Sequence, residues 1–218
     1  MWITRFVVML SFLALGMLIS PEPFNSAFVN SKHSSGSSSY ASSIPLRLLY
    51  LLCFATAWGT SLWVSFIGGI IMFKHLPRHQ FGNLQSKMFP AYFSLNAICA
   101  AVCMVGFCIL HPWKGSSATE RTQILCLVVS LLSTLANILV FEPLTIKTMK
   151  ERHKIEREES IGDEVGLSKN KEVAKRNPKL AKINKKFGMV HGLSSLANLF
   201  SFGGFAVHSW YLASKLLV

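Results

Sequence analysis

The chain has 218 residues, of which 51% are hydrophobic and 15% charged, and its formal net charge is +12. So few polar residues cannot cover the surface of a soluble globule of this size, which excludes a soluble globular protein. Nucleic-acid binding is not expected either, because it needs a basic soluble fold and the basic residues here lie between apolar runs.

A short apolar stretch at residues 6–19 comes after Arg5 and before Pro21. A basic residue followed by an apolar core too short to span a bilayer is typical of a secretory signal peptide or an uncleaved signal anchor. We assign residues 1–20 to this segment. Residues 21–47 are rich in Ser and bury too little apolar surface to fold, so they are predicted to form a disordered lumenal tail.

Four apolar runs follow, each close to the length that crosses a bilayer: residues 48–73, 89–110, 124–141 and 193–212. A helix rises about 1.5 Å per residue, so roughly 20 residues cross a hydrocarbon core of about 30 Å. Backbone amides in lipid must hydrogen-bond within their own segment, which predicts that each run is helical. The predicted fold class is therefore all-α, a polytopic integral membrane protein in which residues 48–214 form a four-helix transmembrane bundle.

Basic residues in the connections predict the orientation of the bundle, because loops rich in Lys and Arg stay cytoplasmic. The first loop carries Lys74, Arg78 and Lys87 without an acidic residue, and the long connection 142–187 carries thirteen basic residues. Both loops lie on one face of the bundle. Both termini are therefore expected to be lumenal or extracellular, in the endoplasmic reticulum or the plasma membrane.

Small and polar residues predict how the spans pack. Small side chains recur every four positions along the first span, at Ala57, Ser61, Ser65 and Gly69. Such a stripe lets another helix approach closely, either within one bundle, which we favour, or in a homo-oligomer. In the third span, four polar side chains share one helical face that is predicted to look inward: Ser130, Ser133, Thr134 and Asn137.

Ionisable side chains gather where the spans meet the predicted cytoplasmic connections, at His75, Arg78, His79, Glu142 and His191. Histidines with a carboxylate are groups that a metal ion or a proton relay uses. Pro77 is expected to break the helix between the first two histidines, which weakens this interpretation. Interfacial capping and ion pairing, such as Glu142 with Arg78 or His191, is the favoured alternative, and no bound cofactor is predicted.

The connection 142–187 divides into two parts. Residues 148–160 place opposite charges four apart, as in Arg152 and Glu156, which predicts a solvated helix that stops near Gly162. Asn177 and Pro178 predict the start of a second helix. Its lysines are expected to contact anionic lipid headgroups, although keeping this loop cytoplasmic explains the charge equally well. The predicted lipid contacts are Lys179, Lys182, Lys185 and Lys186.

Three motifs occur in order along the chain. The first loop contains Leu76-Pro77-Arg78-His79, Phe81-Gly82 and Gln85-Ser86-Lys87, the third span ends in Asn137 and Glu142-Pro143, and the fourth opens with His191-Gly192-Leu193-Ser194-Ser195-Leu196 and Asn198. Together they resemble the transmembrane protein 205 family over roughly residues 50–210. The resemblance implies a four-span helical membrane protein without an established molecular activity. The candidate functional cluster at these motifs is Arg78, His79, Gln85, Glu142, His191, Ser194 and Asn198.

Three functions fit these patterns. The leading hypothesis is a non-enzymatic multi-pass membrane protein that handles a small solute or metal ion, or regulates such traffic, through the polar interior of the bundle. No nucleophile beside a base and no phosphate-cradling glycine loop occurs in the sequence, so catalysis is not predicted. The second hypothesis is a membrane-organising or trafficking protein that binds anionic lipids through its basic connection. The third is a haem- or metal-binding redox protein.

Overall fold

The computed structural model describes residues 43–215, and in this part of the chain every regular element is a helix. The predicted signal segment and most of the predicted Ser-rich tail, residues 1–42, lie outside the described residues. The all-α membrane class predicted from the sequence is confirmed. The contacts discussed below lie within one compact unit that begins at Leu49.

Helices follow one another with short connections. We number them α1 (Ser43–Leu62), α2 (Gly69–His75), α3 (Arg78–Leu110), α4 (Ala118–Ala136), α5 (Glu142–Glu158), α6 (Ser168–Arg176) and α7 (Pro178–Lys215). A π-helical segment, Trp63–Gly68, joins α1 to α2, and a second, Asn137–Phe141, joins α4 to α5. The predicted break at Pro77 and the predicted helix start at Pro178 are both present.

Three continuous helical rods in the described part of the chain are long and apolar enough to cross a membrane: Pro45–His75, Arg78–Leu110 and Ala118–Glu158. They contain the first three predicted spans. The fourth predicted span, residues 193–212, lies within α7, where Asn198 and His208 make the helix more polar. These polar residues have protein neighbours, because α7 packs along α4 and α5. The fourth crossing of the membrane stays a prediction.

Large apolar side chains point outward along the rods. Leu139 is 72% exposed and Trp210 81% exposed, and Trp63 and Ile98 are also more than half exposed. Buried polar groups such as Ser61, Asn96 and Ser130 lie inside instead. An apolar exterior around a partly polar interior is the arrangement that lipid favours, because lipid cannot satisfy a polar group.

The polar face of the third predicted span packs against α7. Ser130 Oγ donates to the Ser201 carbonyl oxygen at 2.9 Å, and Thr134 Oγ1 lies 2.9 Å from Ser201 Oγ. Asn137 Nδ2 donates to the Ser194 carbonyl oxygen at 3.1 Å, and Ser194 Oγ donates to Asn137 Oδ1 at 2.7 Å. The predicted inward orientation is confirmed for the buried Ser130, Thr134 and Asn137, whose hydrogen bonds join two helices, while Ser133 is half-buried.

A glycine sets the separation of these two helices. A Cβ atom added at Gly204 would lie 2.6 Å from the Cys126 carbonyl oxygen and still closer to Ser130 Oγ. No atom lies within 4 Å of the corresponding position at the neighbouring Gly203. Only the first glycine is therefore required for the close approach of α4 and α7.

Four helices lie wholly or partly outside the predicted spans, on the same side. The parts that the predicted spans leave outside the bilayer are α3 before residue 89, α5, α6 and α7 before residue 193, and we call them the extramembrane layer. At about 1.5 Å per residue, the 17 residues of α5 extend roughly 25 Å. The layer is thus thick enough to hold buried groups of its own, and the candidate residues lie in it and beside it.

Candidate functional site

A fully buried carboxylate lies at the centre of the extramembrane layer. Glu156 on α5 is 0% exposed, and its Oε1 atom accepts hydrogen bonds of 2.6 Å from Arg78 Nε and from Asn170 Nδ2. Its Oε2 atom lies 3.0 Å from His79 Nε2. Arg152, one turn earlier on α5, has its Nε atom 3.7 Å from Oε1. One carboxylate therefore joins α3, α5 and α6, and we call these residues with His153 the Glu156 cluster.

The start of α3 brings two of these residues to the carboxylate. The first N–H groups of a helix have no partner within it, and here the Arg78 N–H donates to the Glu164 carbonyl oxygen at 2.8 Å. The His79 N–H donates to the Gly162 carbonyl oxygen at 3.0 Å. The loop after α5 thus closes over the start of α3 and holds both side chains against Glu156.

His153 is buried in the same cluster. It is 3% exposed, and its Nε2 atom has no hydrogen-bond partner among the described residues. Its ring lies beside that of His79, with the ring centroids 4.3 Å apart and a tilt of 44°. Burial is the largest cause that lowers the pKa of His153 to about 4, with nearby His79 adding to it, so this imidazole is neutral at pH 7.

Two glycines make room for the two imidazole rings. A Cβ atom at Gly82 would lie 2.7 Å from His153 Cε1, and a Cβ atom at Gly162 would overlap the His79 ring. Gly162 also has a φ of +121°, a conformation that favours glycine. Both rings are therefore held at positions that only a residue without a side chain leaves open.

Arg152 belongs to the Glu156 cluster and also lines a cavity. It is 8% exposed, its guanidinium carbon is 3.8 Å from the centre of the Phe187 ring, and its Nε atom has no hydrogen-bond partner among the described residues. Burial is the main cause that lowers the pKa of Arg152 to about 10, with Arg78 contributing. The side chain therefore stays positively charged at pH 7.

The cavity has a volume of about 630 Å³ and lies where the predicted spans meet the extramembrane layer. Its walls come from the first rod, the first half of α3, α5 and α7. Six of the seven residues of the candidate cluster line it: Arg78, Gln85, Glu142, His191, Ser194 and Asn198. His79 does not line the cavity, and its contacts are with Glu156 and His153.

At its membrane end the cavity is bounded by a hydrogen-bonded network. Asn198 Nδ2 donates to Ser65 Oγ at 2.8 Å, and Tyr92 OH donates to Asn198 Oδ1 at 2.8 Å. Asn96 Nδ2 donates to Ser61 Oγ at 2.8 Å. Asn198 is thus fixed by partners on two other helices, and the small residues of the first span are buried or line the cavity.

The structure differs from two expectations for the charged residues. Arg78 is paired with Glu156, while Glu142 forms no ion pair within residues 43–215. His75 is exposed at the end of α2, apart from the Glu156 cluster. The set of His75, His79, Glu142 and His191 is therefore divided between a surface, a cluster and a cavity wall.

Sequence reasoning missed His153, Glu156 and Asn170. Charges four apart on α5 predicted a solvated helix, and the structure buries the face that carries Arg152, His153 and Glu156. The spacing of a histidine and a carboxylate at positions i and i+3 was a usable signal, because it places both on one side of a helix. The four predicted lipid-contacting lysines, by contrast, are all exposed at the start of α7.

Comparisons with known proteins give the family but no activity. A family model described as a domain of unknown function (DUF4149) matches residues 52–154. Transmembrane protein 205 of the zebrafish, Danio rerio, is 33% identical over 175 residues, which cover 78% of this chain and 93% of that protein. No solved structure matches the chain.

Proposed function

Because this chain belongs to the transmembrane protein 205 family and is a multi-pass integral membrane protein, we propose that it is non-enzymatic and handles a small amphipathic solute with an anionic group. The cavity at the boundary of the predicted membrane region is the binding site in this proposal. Its volume of about 630 Å³ falls within the range of small-molecule sites.

The lining of the cavity supports an amphipathic ligand. Its walls are largely aromatic and aliphatic, and phenylalanines contribute from four helical segments: Phe66, Phe73, Phe81, Phe89, Phe93 and Phe187. A few polar groups interrupt these walls, which is typical of sites that bind an apolar body and orient a polar end. An apolar tail is accommodated along the phenylalanines.

The charges at the cavity support an anionic group at the end next to the extramembrane layer. Arg78 and Arg152 both line the cavity there, and both also lie against Glu156, with Arg78 Nε at 2.6 Å and Arg152 Nε at 3.7 Å from its Oε1 atom. Two guanidinium groups that share one carboxylate keep an excess of positive charge, which a ligand carboxylate or phosphate would stabilise. Glu142, the acidic lining residue, lies about 15 Å along the helix from Arg152, at about 1.5 Å per residue.

The hydrogen bonds of the lining serines support binding rather than catalysis. Ser194 Oγ donates to Asn137, and Ser195 Oγ donates to the His191 carbonyl oxygen. Within residues 43–215, no serine that lines the cavity is bonded to a histidine ring. A nucleophile needs such a base, so the arrangement favours a binding protein.

Binding of a fluorescent fatty acid tests the proposal. We expect full-length protein in nanodiscs to bind a dansyl-labelled fatty acid saturably, and Ser195→Trp, which fills the cavity from α7, to weaken binding at least tenfold. Leu196→Trp is the matched control, because Leu196 is 49% exposed and does not line the cavity. Equal binding by the two variants, or no saturable binding by the unmodified protein, would contradict the proposal.

A second candidate function is membrane organisation through the basic end of α7. Lys179, Lys182, Lys185 and Lys186 are all exposed within two turns of this helix. Each basic residue near an anionic surface contributes about 1 kcal/mol, so four are enough for reversible adhesion. Proteoliposomes carrying the chain are expected to capture phosphatidylserine vesicles but not neutral ones. Capture that survives replacement of all four lysines by Gln excludes this role.

A further inference from the structure

The Glu156 cluster contains three metal-binding side chains that the cavity does not use. One ring nitrogen of His79, one of His153 and a carboxylate oxygen of Glu156 all lie within 4.8 Å of one another. Two imidazoles and one carboxylate are the donor set of many zinc and iron(II) sites. A cluster of such side chains is common without a metal. The interpretation therefore depends on whether each donor atom already has a hydrogen-bond partner.

The decisive donor is His153 Nε2. A buried polar atom is nearly always hydrogen-bonded, yet this atom lies in a residue that is 3% exposed and has no partner among the described residues. His153 supplies one ring nitrogen to the group formed with His79 and Glu156. An orphaned imidazole nitrogen of this kind is explained if an ion occupies the space beside it.

We propose that His79, His153 and Glu156 form a binding site for a divalent first-row transition-metal ion, with Zn²⁺ as the probe. The ion would replace the contact between His79 Nε2 and Glu156 Oε2, which is 3.0 Å long in this structure. The three ligands leave one position of a tetrahedral site for water. The ion would join the start of α3 to the end of α5.

The other oxygen of Glu156 is already held in place. Arg78 and Asn170 donate to Oε1, so Oε2 is the atom left for a metal ion. Partners that orient a ligand carboxylate in this way are a regular part of metal sites. The two nearby arginines oppose a dication, and we therefore expect micromolar and reversible binding rather than the tight binding of a structural zinc site.

The two glycines support the same interpretation. Gly82 and Gly162 let the rings of His153 and His79 lie where a side chain at either position would displace them. Close packing against glycine fixes the orientation of both rings, which a metal site requires. The site is separate from the cavity, whose lining includes none of the three ligands.

Zinc titration of the full-length protein tests the proposal. The protein is purified in detergent with a tag that lacks histidine, stripped with a chelator, and titrated with Zn²⁺ against a chromophoric competitor. We expect one ion per chain in the unmodified protein and at least tenfold weaker binding in His79→Gln and His153→Gln. His191→Gln is the matched control, because His191 lies on the cavity wall, and it is expected to bind normally.

Folding and coordination are checked in the same samples. His153→Gln removes no hydrogen bond from Nε2, so it is expected to keep the elution volume and helical content of the unmodified protein. X-ray absorption of the zinc-loaded protein is expected to show two imidazole nitrogens and an oxygen ligand. Zinc binding that is unchanged in folded His153→Gln, or no binding above background by the folded unmodified protein, overturns the proposal. If the protein does not bind the fatty acid, the zinc-binding proposal is not affected.

Discussion

Two buried histidines at opposite ends of the molecule differ in whether their ring nitrogens have hydrogen-bond partners. His208 on α7 is 0% exposed, its Nδ1 atom lies 3.0 Å from Gln123 Oε1, and its Nε2 atom is bonded to the Tyr50 hydroxyl. His153 is buried almost as deeply, yet its Nε2 atom has no partner among the described residues. The hydrogen bonds of the first histidine account for its burial, whereas the unpaired nitrogen of the second is the basis of the proposed metal site.

The surroundings of the two histidines differ in the same way. Aromatic rings enclose His208, including those of Phe54 and Phe107 at centroid distances of 5.5 and 5.3 Å. Charged residues surround His153, and they share the single carboxylate of Glu156. Inside the predicted membrane region buried polar groups such as Ser130, Asn137 and His208 are hydrogen-bonded, while the buried Arg78, Arg152 and Glu156 lie in the extramembrane layer, where burial of a charge costs less.

The largest expected effect is the loss of the carboxylate. Glu156→Ala leaves Arg78 and Arg152 buried without a counter-charge, and it is expected to lower the free energy of unfolding by about 3–5 kcal/mol. Denaturation in mixed micelles with increasing SDS measures the change. Glu158→Ala, on the exposed side of the same helix, is the control and is expected to change the free energy by less than about 0.5 kcal/mol. Similar values for the two variants would show that the cluster does not hold the layer together.

Substitutions of the two buried histidines, His208 and His153, give the next largest expected effect on stability. His208→Leu leaves the Tyr50 hydroxyl and the Gln123 side chain without their buried partner and is expected to destabilise the protein by about 2–3 kcal/mol. His153→Gln removes no hydrogen bond from Nε2 and is expected to change stability by less than about 1 kcal/mol. The same denaturation experiment compares them, and a reversed order would contradict the distinction between the two sites.

The smallest effect tests the contact between α4 and α7. Gly204→Ala places a methyl group against the Cys126 carbonyl oxygen. Overpacking costs about 1–3 kcal/mol and the gained helix propensity returns about 1 kcal/mol, so we expect a destabilisation of up to about 2 kcal/mol. Gly203→Ala meets no atom within 4 Å and is expected to be neutral or stabilising. Equal thermal unfolding midpoints for the two variants would mean that these helices do not approach as closely as described.

The long apolar helices and the helix boundaries at proline could be predicted from the sequence. The first three spans follow from residue hydropathy alone, because lipid imposes length and backbone hydrogen bonding. The break at Pro77 and the start of α7 follow from the missing N–H group of proline and from Asn177, whose Oδ1 atom accepts from the Lys179 and Leu180 N–H groups at 3.0 and 3.1 Å.

The Glu156 cluster could not be predicted for a physical reason. The face of α5 that it occupies carries no apolar stripe, so periodicity marks it as solvated although Thr148, Arg152 and Glu156 are buried there. This face of α5 is covered by α6 and by the loop that is hydrogen-bonded to the start of α3, and hydropathy does not predict the position of either. The cavity could be predicted more closely, because the family motifs contain six of its lining residues.

The measurement that tests the central claim most directly is photolabelling with a diazirine-bearing fatty acid, followed by peptide mapping. The account predicts competable labelling of the cavity walls, in residues 64–93, 142–152 and 187–199, and its loss in Ser195→Trp but not in Leu196→Trp. Labelling confined to lipid-facing positions such as Leu139 and Trp210, and unchanged in Ser195→Trp, would contradict it.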